Sequence, residues 1–243
     1  MIFNLAYKRY GERSILIEWP AIIDKKILLD VLSFKNKILN NNIELIVNVN
    51  NAYNSLLITY SKIVINFNNE VSTLKKIYNQ RETVAQSVFK QWKIPVCYDA
   101  VFGMDLEMIS ITKNSSKDSI IKLHSQAVYT VYFIGFLPGF LYLGGLDETL
   151  HAPRKETPRL KIEKGAVAIG GNQTGVYPNQ SPGGWNIIGN TPISFFDVKK
   201  DNPCFAKPGD QIKFYPIDLE KYQEIKTLID AGVYQMESEV ING

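Results

Sequence analysis

An α+β fold in two parts is what this 243-residue sequence predicts, and three observations predict it. Residues 1–90 alternate strand-like and helix-like apolar patterns in the order β-α-β-β-α-β. The chain changes character at Ile94-Pro95-Val96-Cys97-Tyr98. Residues 91–243 then break into short apolar runs punctuated by Gly, Pro and aromatic residues. The first pattern is that of a ferredoxin-like sandwich, and the second that of a closed or nearly closed β-barrel.

Each element has its own justification. Ser14–Glu18 reads as a short strand. From Asp24, a ready N-cap, Ile27, Val31, Phe34 and Ile38 recur at helical spacing, with Leu28, Leu32 and Leu39 widening the stripe. Asn40-Asn41-Asn42 ends that helix, because asparagine tolerates the left-handed geometry of a helix terminus. Ile43–Val49 and Ser55–Tyr60 read as strands, and Glu70–Gln80 as a helix with Val71, Leu74 and Ile77 on one face. Val84–Trp92 is expected to supply the last strand of the sandwich. In the second part, Ser116 caps a helix to Ala127, and Ala166–Ile169, Trp185–Ile188, Ser194–Asp197 and Gln211–Tyr215 read as barrel strands. Leu219–Ala231 reads as a terminal helix stopped by Gly232.

Composition excludes several functions. A hydrophobic fraction of 45% with 21% charged residues is that of an ordinary globular protein. The net charge of +3 is spread without like-charge runs, so neither a nucleic-acid nor a membrane partner is expected. No leader pattern and no apolar run of the roughly 20 residues a span needs is present, so a cytoplasmic location is expected. Cys97 and Cys204 form no CxxC pair, and two separated histidines make a poor metal site.

Chemistry concentrates between Tyr132 and Pro192. Gly135-Phe136-Leu137-Pro138-Gly139-Phe140 is expected to turn tightly at Pro138-Gly139, its aromatics packing a barrel corner or walling a cleft. Pro153-Arg154 and Pro158-Arg159 present two guanidinium groups from one proline-stiffened loop, suited to an anion. The segment from Gly170 to Trp185 combines close-approach glycines with amide and hydroxyl groups, and matches neither a phosphate-binding P-loop nor a dinucleotide fingerprint. Its candidate binding residues are Gln173, Thr174, Tyr177, Ser181, Gly183, Gly184 and Trp185, with Gly135, Phe136, Pro138 and Gly139 from the earlier run. Arg154, Arg159 and His124 are the candidate catalytic residues, although a core or capped histidine is the safer reading of His124. No nucleophile-elbow or triad pattern is present.

These motifs together resemble one family. Gly135–Phe140 with Tyr142-Leu143, the two Pro-Arg pairs, Gln173–Pro178, Ser181–Trp185, Gly189 and Thr191-Pro192 are similar to the B-subunit family of 5-oxoprolinase, also called KipI or allophanate hydrolase subunit 1. Tyr10-Gly11-Glu12, Tyr53–Leu57, Pro95–Tyr98, Asp105–Glu107, His124, Tyr129 and Pro208-Gly209-Asp210 extend the likeness over nearly the whole chain. The resemblance implies a ferredoxin-like domain over 1–90, and a cyclophilin-like barrel with a C-terminal helix over 91–243. It also implies two partners, the C-subunit and the A-subunit, with which 5-oxo-L-proline is hydrolysed to L-glutamate at the expense of ATP and Mg2+. This chain is then expected to be inactive alone, to hold no tight cofactor, and to share a site with the C-subunit. The resemblance implies two alternatives, inhibition of a sporulation histidine kinase and a part in a urea or allophanate amidohydrolase. Two places depart from the family pattern. Ile162-Glu163-Lys164-Gly165-Ala166-Val167 stands for Val-Pro-x-Gly-Ser-Val, and Asn190 for an arginine.

Overall fold

A computed structural model describes residues 3–80 and 88–242, and the chain divides into two compact units, residues 1–86 and 87–243. In the first unit the elements are β1 (Ala6–Arg9), β2 (Ser14–Glu18), α1 (Lys25–Asn40), β3 (Ile46–Asn51), β4 (Ser55–Tyr60) and α2 (Phe67–Tyr78). The four strands form an antiparallel sheet in the order β1-β2-β4-β3. Ile15, Ile17, Leu56 and Ile58 alternate onto one face and meet Ile27, Val31, Phe34 and Ile38 of α1. Asp24 caps α1 as its sequence implies, its carboxylate accepting from the Lys26 and Ile27 amides at 2.7 and 3.3 Å. Leu28 joins the buried stripe, whereas Leu39 stays half exposed.

Two expectations for this unit are corrected. Val84–Trp92 was expected to close the sandwich. Residues 84–87 lie outside the described residues, and from Val88 the chain belongs to a different sheet. The edge beside β2 is instead taken by β1, four residues too polar to show a period-two pattern. The second helix also begins earlier, at Phe67, because the Asn66 side chain accepts from the Asn69 amide.

The second unit comprises β5 (Val88–Cys97), α3 (Leu106–Lys113), α4 (Lys117–Gln126), β6 (Tyr129–Ile134), β7 (Leu141–Gly144), a 3-10 turn (Glu148–Leu150) and β8 (Arg159–Ile162). There follow β9 (Ala166–Gly170), β10 (Gln173–Val176), β11 (Ser181–Gly183), β12 (Asn186–Asn190), β13 (Gln211–Ile217), α5 (Leu219–Asp230) and β14 (Ser238–Asn242). Among the described residues, eight strands share one sheet in the order β10-β9-β12-β5-β13-β6-β7, with β14 paired to β5. The end strands β7 and β10 lie side by side, so the sheet is a nearly closed barrel. Its interior is filled by Ile94, Val96, Val131, Leu141, Leu143, Val167, Ile169, Ile188 and Phe214.

Strand β9 is buried on both faces, which explains its unbroken apolar run. Val167 and Ile169 enter the barrel, while Ala166 and Ala168 join Phe140, Ile162, Tyr177 and Trp185 in a second cluster outside it. That outer cluster lies under the separate ribbon formed by β8 and β11. Ser194–Asp197 is not a strand, although its alternation implied one. Pro192 lacks an amide for a ladder, and Phe195 is buried as packing beneath an irregular loop, edge-on to Phe205 at 5.1 Å. Helix α3 was not foreseen, because its Met108 and Ile111 face solvent and leave no amphipathic stripe.

Candidate functional site

The loop from Ala152 to Arg159 is pinned at four points. Ala152 and Gly171 exchange backbone hydrogen bonds at 3.0 and 2.6 Å, and the Asn186 amide donates to the Pro153 carbonyl at 2.9 Å. The Lys155 amide donates to the Gly184 carbonyl at 2.7 Å. At the far end Arg159 grips Asp105 with both guanidinium arms, at 2.9 and 2.7 Å. Lys155 Nζ reaches the same carboxylate at 2.9 Å, and the Ile187 amide donates to it at 2.7 Å. Burial alone would raise the pKa of Asp105, but Arg159, Lys155 and the Ile187 amide outweigh it and hold the carboxyl below its usual range.

Beside this loop lies a cleft of about 310 Å³, walled by Phe136, Phe140, Tyr142, Tyr177 and Trp185 and bordered by Arg154. The Arg154 guanidinium sits 5.7 Å over the Trp185 ring, and among the described residues it has no carboxylate partner. The rings support one another edge to face: Phe140 stands 5.6 Å from Trp185 and 5.7 Å from Tyr177. Burial pushes the Tyr177 hydroxyl up, against the Trp185 backbone N–H and the charges of Arg154 and Arg159, which draw it down. The cleft is therefore an apolar, aromatic slot with one cation at its lip that no carboxylate pairs among the described residues.

The glycines of the region are needed where side chains crowd the backbone. A Cβ on Gly183 would lie 2.3 Å from the Tyr177 hydroxyl oxygen and 2.7 Å from Ile162. Pro138-Gly139 does form the tight turn, closed by the Phe140 amide to the Leu137 carbonyl at 3.0 Å, with Gly139 at φ +84°. Phe136 is held at φ +63°, a costly conformation for an aromatic residue, and is largely exposed at the cleft mouth.

The structure brings Arg154, Phe136, Tyr177, Gly183, Gly184 and Trp185 together at the cleft. Arg159 belongs to the ion pair behind it, and so does not present a second guanidinium from the loop as its Pro-Arg spacing implied. Gly135, Pro138 and Gly139 shape the turn that carries Phe136, and Gln173 lies in the β9–β10 hairpin opposite Gly170. Ser181 is buried in the β8–β11 ribbon. His124 and Thr174 are fully buried in the barrel. Thr174 donates its hydroxyl hydrogen to the Ala168 carbonyl at 3.1 Å, so it accepts from His124 Nε2 at 2.8 Å. That leaves Nδ1 to accept from the Tyr98 hydroxyl at 2.7 Å. The ring stacks on Phe214, and burial lowers its pKa to about 3, so His124 is a neutral core group and is not part of the cleft lining. Sequence reasoning left Phe140 open between a barrel corner and a cleft wall, did not single out Tyr142 and Lys155 as wall residues, and missed the role of Asp105. The crowding of aromatics around Pro138-Gly139 was the available signal for Phe140 and Tyr142, while Asp105, fifty-four residues from its arginine, stood out only within the Asp105–Glu107 part of the resemblance.

Both departures from the family pattern have structural partners. Asn190 donates to the Lys164 carbonyl at 3.0 Å and accepts from the Tyr222 hydroxyl at 2.9 Å. A Cβ on Gly165 would strike both the Thr191 carbonyl and Asn190, so this turn and the Asn190 side chain are fitted to each other.

Among known proteins, the family described as "Carboxyltransferase domain, subdomain C and D" matches residues 5–206. The 5-oxoprolinase B-subunit of Escherichia coli O157:H7 is 48% identical over 124 residues, which is 51% of this chain and 57% of that protein. The 5-oxoprolinase B-subunit of Bacillus subtilis (strain 168) is 43% identical over 134 residues, 55% of this chain and 56% of that protein. The matched part thus spans little more than half the length of these curated relatives. The crystal structure of the Kluyveromyces lactis urea carboxylase superposes with a TM-score of 0.82, covering 99% of this chain and 24% of that one at 21% identity, a likeness of fold alone.

Proposed function

The chain belongs to the family of carboxyltransferase domains, subdomains C and D, and from that premise we propose that it acts as the B-subunit of an ATP-dependent 5-oxoprolinase. The observation that carries the reading is the aromatic cleft with Arg154 at its lip. 5-Oxoproline is a small flat lactam bearing one carboxylate. Its ring matches a slot between Phe140, Tyr142 and Trp185, and its carboxylate matches the guanidinium of Arg154, which rests on Trp185 and has no carboxylate partner among the described residues.

A lactam resists water because its amide is resonance-stabilised. Phosphorylation of the carbonyl oxygen by ATP turns it into an electrophile, a step that needs anion stabilisation and positioning rather than a protein nucleophile. In this reading Arg154 orients the substrate, and Asp105 with Arg159 and Lys155 holds the loop that carries it. Among the described residues no three His, Cys, Asp or Glu side chains gather as a metal site, and Mg2+ would arrive on the nucleotide phosphates.

We read the larger unit as a cyclophilin-like barrel. We read the smaller unit as ferredoxin-like, with β4 inserted between β2 and β3 of a β-α-β crossover and β1 in the place of the fold's last strand. These two units are the two domains, and the C- and A-subunits are the partners that complete the enzyme. No helix of the described residues is long and apolar enough to cross a membrane, which accords with a cytoplasmic enzyme.

The test is ATP-dependent glutamate release from 5-oxoproline, measured with this chain, with its two cognate partner subunits, and with all three. Release only from the complete set supports the reading. An assembled complex that releases none overturns it.

A further inference from the structure

The loop that carries Arg154 and Lys155 is a wall with two faces. One face borders the aromatic cleft. The other borders a second cavity, of about 350 Å³, to which Arg154 and Lys155 also contribute. The opposite side of that cavity is helix α3, which supplies Met108, Ile109 and Lys113. Its floor is apolar, formed by Met108, Ile109 and Pro153. Its charged lining consists of Lys113, Arg154 and Lys155 against the single carboxylate of Glu156. Lys113 Nζ is anchored by donating to the His151 carbonyl and keeps further N–H donors for a ligand. Lys155 is likewise held, by Asp105, so two of the three cations are fixed before anything binds.

An apolar floor under a cationic rim selects a particular chemistry. A bare phosphate would leave the floor uncovered, and a neutral ring would leave the cations unused. An amphipathic anion satisfies both, and the volume lies at the small end of the roughly 300–1,000 Å³ of ligand sites. We infer that this cavity binds a nucleoside triphosphate, its base against Met108, Ile109 and Pro153 and its phosphates toward Lys113, Arg154 and Lys155. The inference rests on the proposed use of ATP. It adds that nucleotide and lactam are held on opposite faces of one loop, with Arg154 common to both.

Equilibrium dialysis of labelled ATP against the full chain tests it, with adenosine, tripolyphosphate and 5-oxoproline as competitors. Two substitutions address the cavity. Lys113→Met removes a rim cation. Thr112→Glu adds a carboxylate beside it at an exposed position whose hydroxyl bonds within its own helix. The expected result is that ATP binds one to one, that each substitution weakens it at least tenfold, and that saturating 5-oxoproline does not displace it. Adenosine and tripolyphosphate should each compete more weakly than ATP itself. A wild-type chain that binds no ATP overturns the inference, as does ATP binding indifferent to both substitutions or abolished by 5-oxoproline. Tripolyphosphate competing as well as ATP overturns the place given to the base. Glutamate release is read separately. ATP bound in this cavity by a chain whose complex makes no glutamate leaves the nucleotide site standing and removes the 5-oxoprolinase reading. Glutamate release with ATP binding unaffected at Lys113 and Thr112 does the reverse.

Discussion

Arg159 shares the Asp105 carboxylate with Lys155 and with the Ile187 amide, whereas Arg154 rests on the face of Trp185 in an exposed position. The two arginines therefore answer differently to removal. Arg154→Ala forfeits one exposed cation–π contact, about 0.5–1 kcal/mol, and should lower turnover of the assembled enzyme at least tenfold. Arg159→Ala strips two charge-assisted hydrogen bonds from a carboxylate that is 5% exposed, and should cost about 1–3 kcal/mol of stability. Urea denaturation alongside the glutamate assay separates the two, and equal destabilisation by both would contradict the division of labour. His124 supplies a pH signature of its own. Its folded pKa of about 3 lies below the unfolded value near 6.5, so the unfolded chain binds the proton first as pH falls. Stability is then fully present above about pH 6.5 and is lost on the way down toward pH 3, at a limiting slope of about 1.4 kcal/mol per unit. Between pH 6.5 and 5 the loss is about 2 kcal/mol, before most carboxylates titrate. Denaturation midpoints of wild type and His124→Gln at pH 7 and pH 5 check this: the variant should be weaker at pH 7 but fall less between the two.

At the scale of elements, the site depends on the β8–β11 ribbon lying close over the outer cluster of Tyr177, Ile162 and Trp185. Gly183 permits that approach. Gly183→Ala should push the Tyr177 ring and Ile162 apart, cost about 1–3 kcal/mol as an overpacked core does, and raise the KM for 5-oxoproline. Gly184→Ala, whose Cβ would meet nothing nearer than the Lys155 carbonyl at 3.4 Å, should leave stability within about 1 kcal/mol. Thermal melts and Michaelis curves of the pair decide it, and similar behaviour in both would contradict the close-packing argument. The same elements show what was legible beforehand. Helices with a cap residue and a buried stripe, such as α1 with Asp24 and α4 with Ser116, announce themselves locally. The Gly, Pro and polar density from Gly170 to Trp185 pointed to a site because it exceeds what turning requires, whereas the aromatics around Pro138-Gly139 read equally as a barrel corner or a cleft wall. The core reading of His124 was legible too, but the Arg159–Asp105 pair and the edge position of β1 were not, since the first depends on a partner fifty-four residues away and the second on a strand too short to have a period. Ser194–Asp197 misled for the opposite reason: a loop that buries one aromatic residue copies the alternation of a strand.

For the whole molecule the governing fact is that two separate cores exist. One is built from Ile15, Ile17, Phe34, Leu56 and Ile58, and the other from Ile94, Val131, Val167, Ile188 and Phe214. Each unit is the size of an ordinary domain and has its own sheet and its own buried core, so each has the burial needed to fold alone. Every residue assigned to the cleft, to the loop behind it and to the second cavity belongs to residues 87–243. A fragment of residues 87–243 should therefore fold by itself and bind 5-oxoproline within about threefold of the full chain, which calorimetry of both would measure. Its binding should still be lost in Arg154→Ala. If the isolated fragment folds, by near-ultraviolet circular dichroism, yet binds no 5-oxoproline, the cleft is not sufficient for recognition. If the fragment does not fold, the independence of the two cores fails instead. The first outcome gives the first unit a part in recognition, and the second gives it a part in folding. Equal binding by fragment and full chain would leave the first unit outside substrate recognition and direct the search for its role to assembly with the partner subunits.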